Sequence, residues 1–508
     1  MGSNLSLAAN LVQWFLRSGA REIVLCAGAR NLALVAAATK TAGIKTWHHP
    51  EERSAGFFAM GRAKASGRPV AIVVTSGTAV AELLPAVIEA HYQGIPLVVI
   101  SADRPACYRE TGSPQTIEQR GIFGPHAAFL GEFEAGDSSE LPADQMIDRP
   151  VHLNVCFDEP ILDGLLEQNI APATNSLACP ISVEKLQSPP AWDDFGSTGK
   201  ILVMVGALSS AERASVLRFL EKLGAPVWLE ATSGLWGQPG LSRLWVRNPA
   251  KLPAEGPTHV LRLGGVPCDR LWRDLEKRDE IQVRSWSSQG WPGLARPCEN
   301  AICDLSQLRT GSIKPHSNWS TEASRFPVPS ANIPCSETAW FGALSRHIPD
   351  DALVFLGNSL PIREWQAAAD WRVGLEIHAN RGVNGIDGEI STFLGLAADH
   401  PAESWGIFGD LTTLYDLAGP WILSQMPGRV VRFVVVNNGG GAIFRDLPAL
   451  RAAEAATREI VCNEHSLDFA GWASLWRLPY VRLEDPVNWS SFLPEGSCVL
   501  EIVPKRDQ

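Results

Sequence analysis

Short apolar runs bounded by turn residues, such as Val70 to Val74, Leu97 to Ile100 and Val151 to Val155, recur along this chain with helical stripes between them. Continuous Val, Ile and Leu runs of that kind fit strands covered on both faces, which is the condition of a parallel sheet. Parallel strands need crossover connections, and helices supply them. Ile23 to Leu25 is a further run, and Leu7, Leu11, Phe15 and Leu16 form a helical stripe closed by Gly19. The first alternation predicts one doubly wound domain over residues 1–180. A Pro/Ser/Gly-rich stretch, Gln187 to Gly199, precedes a second alternation: Ile201 to Val205, a helix over Ala211 to Leu223, Val227 to Glu230 and His259 to Leu263. That predicts a central α/β domain over 198–312. Thr310 to Ser336 is rich in Ser, Pro and Asn and reads as a surface connection. A third domain over 335–508 follows, with strands near Leu353 to Leu356, Ile377 to Asn380, Trp405 to Phe408, Val430 to Val436 and Val499 to Val503. The expected class is therefore α/β, with three doubly wound parallel-sheet domains.

A chain of 508 residues is too long for one ordinary core, in keeping with that division. The net charge of −11 argues against nonspecific nucleic-acid binding, which needs a basic surface to release counterions. Ten cysteines are scattered without a zinc-ligand spacing, so reduced thiols are expected. No apolar stretch reaches the roughly 18 residues that span a bilayer, and the N-terminus lacks the pattern of a secretion signal. The expectation is a cytoplasmic protein with no membrane partner.

Two motifs near the C-terminus point to chemistry. Gly409-Asp410-Leu411-Thr412 follows the run Trp405 to Phe408, and Asn437-Asn438-Gly439-Gly440 follows Val434 to Val436. Each lies at the C-terminal end of a β-rich run, where open α/β sheets place ligands. Magnesium is hard and octahedral and takes oxygen ligands. Asp410 offers a carboxylate, Asn438 an amide oxygen and Gly440 a backbone carbonyl, leaving positions for phosphate oxygens and water. Either motif alone is an ordinary turn; the pair favours a metal and diphosphate site. The N-terminal third holds His48-His49-Pro50-Glu51-Glu52-Arg53 and then, at the end of the run Val70 to Val74, Thr75-Ser76-Gly77-Thr78.

With these motifs the chain resembles, over nearly its full length, the thiamine-diphosphate-dependent enzymes. It is most similar there to the 2-succinyl-5-enolpyruvyl-6-hydroxy-3-cyclohexene-1-carboxylate synthases of the menaquinone pathway. The resemblance rests on Thr75-Ser76-Gly77-Thr78-Ala79-Val80, Ser101-Ala102-Asp103-Arg104-Pro105, Gly357-Asn358-Ser359, the long segment Asn380 to Gly388, and Gly409 to Asp416. It implies three domains of the thiamine-diphosphate-binding type, thiamine diphosphate with Mg2+ (Mn2+ as the alternative ion), and a homodimer or homotetramer with sites shared between subunits. It implies that Glu52 is catalytic, driving the pyrimidine ring to its imino form so that the cofactor's own amino group can take the thiazolium C2 proton. Ser76, Gly77, Thr78, Gly409, Asp410, Leu411, Thr412 and Asn438 would hold the cofactor. Ile386 would bend it, with Ile443 and Phe444 beside the thiazolium.

The same resemblance implies a transferase that decarboxylates 2-oxoglutarate and adds the resulting carbanion to isochorismate. Several carboxylates must then be held, which suits the planar guanidinium fork. The matching positions are Arg30, Arg104, Arg363 and Arg381, with Gln115 and Ser359 as neutral donors and Arg270 from the central domain. The chain departs from the family at Ala29, where a hydroxyl residue is usual, and at Asp269, where the family usually has the first of two basic residues. Two rival readings stand beside this one: a decarboxylase or acetolactate-type synthase for a smaller 2-oxo acid, and a cofactor-binding homologue without catalysis.

Overall fold

The structure is a computed structural model. It describes residues 3–136, 141–142, 147–164, 186–192, 195, 199–249, 252, 256–310, 313–314, 319, 334–372, 374–445 and 447–505. Most of the expected connection between Thr310 and Ser336 lies outside these residues. The chain divides into two compact units: Met1–Val183, Gly382–Pro401 and Leu411–Arg429 form one, and Glu184–Arg381, Ala402–Asp410 and Val430–Gln508 the other.

The first unit holds a six-stranded sheet of β1 (Glu22–Leu25), β2 (Lys45–His48), β3 (Val70–Val74), β4 (Leu97–Asp103), β5 (Ala128–Glu134) and β6 (Val151–Cys156), in the order β2-β1-β3-β4-β6-β5. Every pairing is parallel. The four inner strands are buried at every position, whereas β2 and β5 lie at the edges and mix polar with apolar residues. The helix Asn4–Arg17 starts on Ser3, whose hydroxyl accepts the Ser6 N–H at 3.0 Å, and its apolar stripe joins the core beside β1. The helix Glu52–Ser66 packs on the helix Glu389–Ala397. Asp416, fully buried, fastens the two by accepting from the Ser54 hydroxyl at 2.7 Å, the Ser391 N–H at 2.7 Å and the Ser391 hydroxyl at 2.9 Å.

The turn into that second helix depends on Gly388. Its φ is +64°, and a Cβ there would fall 1.8 Å from the Phe57 ring. Gly388→Ala is expected to lower unfolding stability by about 3 kcal/mol or more, from strain plus overpacking. Urea unfolding of the two proteins checks this, and an unchanged midpoint would rule the clash out as a stability determinant.

The second unit carries two sheets. β7 (Ile201–Val205), β8 (Val227–Leu229), β9 (His259–Leu263), β10 (Gln282–Ser287) and β11 (Glu299–Ile302) run in the order β11-β10-β9-β7-β8. β12 (Leu353–Leu356), β13 (Glu376–His378), β14 (Ser404–Gly409), β15 (Val431–Val436), β16 (Tyr480–Leu483) and β17 (Cys498–Ile502) run in the order β13-β12-β14-β15-β17-β16. All are parallel, so the α/β class with three parallel sheets holds. The first and third sheets share one permutation of strand order, so one architecture recurs without a sequence repeat. Among the described residues no helix is long and apolar enough to cross a membrane.

Candidate active site

In the first sheet the strand order reverses between β1 and β3, and ligands of such sheets bind outside the carboxyl ends at that switch. The loops leaving those ends carry Arg30 after β1, Glu52 after β2, Ser76 to Thr78 after β3, and Arg104 and Gln115 after β4. Glu51 takes the capping role at the start of the helix Glu52–Ser66, accepting the Ser54 N–H at 2.8 Å and the Arg53 N–H at 3.3 Å. Glu52, the first helical residue, is left for other work. Burial pushes its carboxyl above the usual carboxylate range, its own backbone N–H opposes this, and the Glu51 and Glu82 carboxylates add to it. The Cys26 thiol nearby is likewise pushed up, by burial first and then by Glu52 and Glu51.

The β3 loop is braced from beneath. Gly77 N–H donates to Gln119 Oε1 at 2.9 Å, and Gln119 Nε2 donates to Asn154 Oδ1 at 2.8 Å and to the Ala102 carbonyl at 3.2 Å. Arg30 is buried, its Nη1 donating to the Phe157 carbonyl at 2.9 Å. Arg104 Nε donates to the Pro114 carbonyl at 3.0 Å, which ties it to the turn carrying Gln115. Gln115 has φ +54°, a sparsely populated conformation for a side-chain-bearing residue. Ile386, half-buried, lies in a segment that Glu89 clamps by accepting the Gly382 N–H at 2.7 Å and the Val383 N–H at 2.8 Å.

In the second unit the register pairs Gly409 with Val436, so Asp410 and Asn437-Asn438 leave adjacent strand ends side by side. The short helix Asp410–Tyr415 begins at Asp410 itself, which places Asp410, Leu411 and Thr412 in its first turn. Asp410 is 2% exposed, and its Oδ2 accepts the Gly440 N–H at 2.9 Å. Only glycine fits at 440: φ is +125°, and a Cβ would lie 2.5 Å from the Cys462 carbonyl oxygen. Asn438 donates its Nδ2 to Glu337 Oε1 at 2.9 Å, which fixes the plane of the amide. The adjacent strand ends thus carry a carboxylate, an amide and a backbone carbonyl, whose hard oxygens are of the type Mg2+ takes. Ile443 and Phe444 sit just beyond, in a single turn Ala442–Phe444, half-buried and exposed respectively.

The arginines of the second unit divide. Arg381 donates Nη1 to Asn358 Oδ1 at 2.9 Å and Nη2 to Glu230 Oε1 at 2.7 Å. Arg363 donates Nη1 to the Ser359 carbonyl at 3.0 Å, and Ser359 holds φ +68°, backbone strain of the kind that collects at working sites. Though Arg363 meets solvent, partial burial lowers its pKa; Cys268 opposes the shift, and the like charges of Arg381 and Arg273 add to it. Arg270 stands apart. Asp269 caps the helix Arg270–Asp274, accepting the Leu271 N–H at 2.8 Å, while Leu271 and Trp272 take the buried side. That turns Arg270 to solvent, 78% exposed and 3.6 Å from Asp274.

Four acidic or basic neighbours of these sites carry no local sequence signal: Glu89, Glu230, Glu337 and His465. Glu337 is pushed up to about 7, chiefly by burial, with Glu364 and Asp410 adding and Asn438 and Arg445 opposing. His465 Nε2 lies 3.5 Å from Asp410 Oδ2. Among the described residues, the one tight cluster of metal-ligand types is elsewhere, at Asp103, Glu132 and Cys156. Arg109 already supplies the cation there, pairing with Glu132 and lying 3.4 Å from Asp103.

Residues 5–122 match the family model of the thiamine pyrophosphate enzyme N-terminal TPP binding domain. The chain is 39% identical to the 2-succinyl-5-enolpyruvyl-6-hydroxy-3-cyclohexene-1-carboxylate synthase of Bdellovibrio bacteriovorus, across 94% of this chain and 92% of that protein. It is 36% identical to the protein of the same name from Akkermansia muciniphila, across 100% of this chain and 98% of the relative. With the Cronobacter sakazakii synthase of that name the identity is 33%, across 94% and 90%.

Proposed function

The chain belongs to the thiamine-diphosphate-dependent 2-succinyl-5-enolpyruvyl-6-hydroxy-3-cyclohexene-1-carboxylate synthases of menaquinone biosynthesis, and from that membership we propose how its residues divide the reaction. It is a transferase that decarboxylates 2-oxoglutarate and passes the remaining four-carbon unit to isochorismate. Thiamine diphosphate, when bound, supplies the carbon nucleophile for both halves of that transfer. Glu52 holds and shares a proton at the pyrimidine N1′ edge, and its raised pKa supports that role. Asp410, Asn438 and Gly440 hold Mg2+, with Mn2+ as the alternative ion. Leu411 and Thr412 would present first-turn backbone and hydroxyl groups to the diphosphate, with Gly409 at the strand end just before them, and Ser76, Gly77 and Thr78 would also hold the cofactor. Ile386, Ile443 and Phe444 keep water from the ring system and shape its bend. Arg30, Arg104, Arg363 and Arg381, with Gln115 and Ser359, bind substrate carboxylates, and the exposed Arg270 is a further such residue from the central domain. The working protein is a cytoplasmic homodimer or homotetramer, with Glu52 and Asp410 of one site drawn from different subunits.

The observation that carries this reading is the corner where Asp410 accepts the Gly440 N–H beside Asn438, at the paired ends of β14 and β15. One assay tests it, following isochorismate loss and carbon dioxide release with 2-oxoglutarate, thiamine diphosphate and magnesium present. The expected result is consumption of isochorismate in step with carbon dioxide, and none with pyruvate as donor. Carbon dioxide from pyruvate without isochorismate loss would point to the acetolactate-type reaction instead. Tight cofactor binding without exchange of its C2 proton would mark a non-catalytic homologue.

A further inference from the structure

Arg381 is held from two directions before any substrate arrives. Its pair with Glu230 is buried, the two side chains being 8% and 4% exposed, and Asn358 fixes the other terminal nitrogen. Asn358 is itself fixed, donating Nδ2 to the Asn380 carbonyl at 2.8 Å. Glu230 follows β8 of the central sheet, and the backbone on either side of it is clamped. The Ala231 N–H donates to Gln366 Oε1 at 2.9 Å, and Gln366 Nε2 donates to the Leu229 carbonyl at 2.6 Å. Gln366 lies on the helix Leu360–Ala368, which also carries Arg363. The central sheet thus delivers one carboxylate, at its C-terminal edge, to an arginine on the edge of the third sheet.

Stability does not call for such a pair. Removing two charges from water costs several kcal/mol per ion, and well-packed apolar residues of similar volume are often as stable or more so. Preorganisation gives it a purpose: an arginine whose rotamer is already set loses less freedom when a carboxylate binds. We propose that Glu230 is a positioning residue for substrate, holding the Arg381 fork in the orientation that receives a substrate carboxylate, so that the central domain takes part in specificity. The proposal rests on the reading that Arg381 binds a carboxylated substrate.

The test is a kinetic cycle on the cofactor-loaded enzyme with both substrates varied. Arg381→Ala is expected to raise KM for one of them, and Glu230→Ala to raise the same KM about tenfold with kcat within about threefold. Glu230→Gln, which keeps an oxygen for Nη2, restores that KM to within about threefold of the original. The double variant is no worse than Arg381→Ala alone. Glu230→Asp, which withdraws the carboxylate by one methylene, gives an intermediate rise and carries the test should the alanine variant not fold. An unchanged KM in the Glu230 variants beside a raised one in Arg381→Ala overturns the positioning role and leaves the substrate reading standing. Unchanged KM values in Arg381→Ala overturn both. Parallel losses of kcat, cofactor affinity and Tm in Glu230→Ala, without rescue by Gln, assign the pair to folding and also overturn the proposal.

Discussion

Glu52→Gln is expected to lower turnover by about two to four orders of magnitude while magnesium-dependent cofactor binding stays near its original strength. The amide fills the same volume at the start of the helix Glu52–Ser66, and Glu51 still caps that helix, so the fold loses no contact it depends on. What is lost is a carboxyl that can give and retake a proton. Burial, with Glu51 and Glu82 close by, keeps Glu52 protonated to higher pH than a free glutamate, which suits a group that shares its proton with a ring nitrogen. The variant should also lose from its kcat/KM profile the ionisation that belongs to Glu52. Steady-state turnover beside a cofactor titration separates the two quantities. Near-normal turnover would remove Glu52 from the mechanism, and lost cofactor affinity would make it a binding residue instead.

Asp410 is legible because it directly follows β14, an inner strand, whereas Glu52 follows the edge strand β2 and only the family resemblance points to it. The other strands that lead into the site loops are mostly inner strands. β1, β3, β4, β12, β14 and β15 are buried at nearly every position and therefore read as unbroken apolar runs. The strands that escaped detection have mixed faces. β2 (Lys45–His48), β5 (Ala128–Glu134), β11 (Glu299–Ile302) and β16 (Tyr480–Leu483) are sheet edges, open on one side, so polar residues interrupt them. β10 is broken by Arg284, whose guanidinium lies 4.4 Å from the centre of the Phe195 ring and so is buried without an apolar signal.

The supporting carboxylates were hidden for a different reason. Glu337 follows Ser336 at a helix start and looks like an ordinary first-turn acid; its role beside Asn438 comes from a strand end 101 residues later. Glu230 is 151 residues from Arg381, and Glu89 is 293 from the Gly382 N–H it accepts. Local pattern cannot report such pairings, because only the tertiary packing of distant helices and strand ends brings them together. Arg270 illustrates the converse. Its neighbours match a family motif, but the change to Asp269 makes that residue a helix cap, and the helix it starts carries Arg270 to the surface.

Asp410→Ala is expected to weaken magnesium-dependent thiamine diphosphate binding by roughly 100-fold or more and to abolish turnover at ordinary cofactor concentrations. Two losses combine in that variant. One is the single anionic ligand among the three proposed, without which an amide and a carbonyl must hold a doubly charged ion. The other is the acceptor for the Gly440 N–H, left buried and unsatisfied at a cost of about 1–3 kcal/mol, at a glycine whose backbone has no room to turn elsewhere. Asp410→Asn separates them. Its side-chain oxygen can still accept the Gly440 N–H, so the loop keeps its shape and the unfolding midpoint stays within a degree or two, about the shift of a fraction of a kcal/mol. The charge is gone, however, so cofactor affinity should fall nearly as far as in the alanine variant. Raising magnesium should recover part of it, since weaker ligation is offset by mass action. Titration of each variant with thiamine diphosphate at two magnesium concentrations decides the matter. Wild-type affinity in Asp410→Asn would mean that the carboxylate serves only the Gly440 loop, and the metal would then have to be sought away from the β14 and β15 ends.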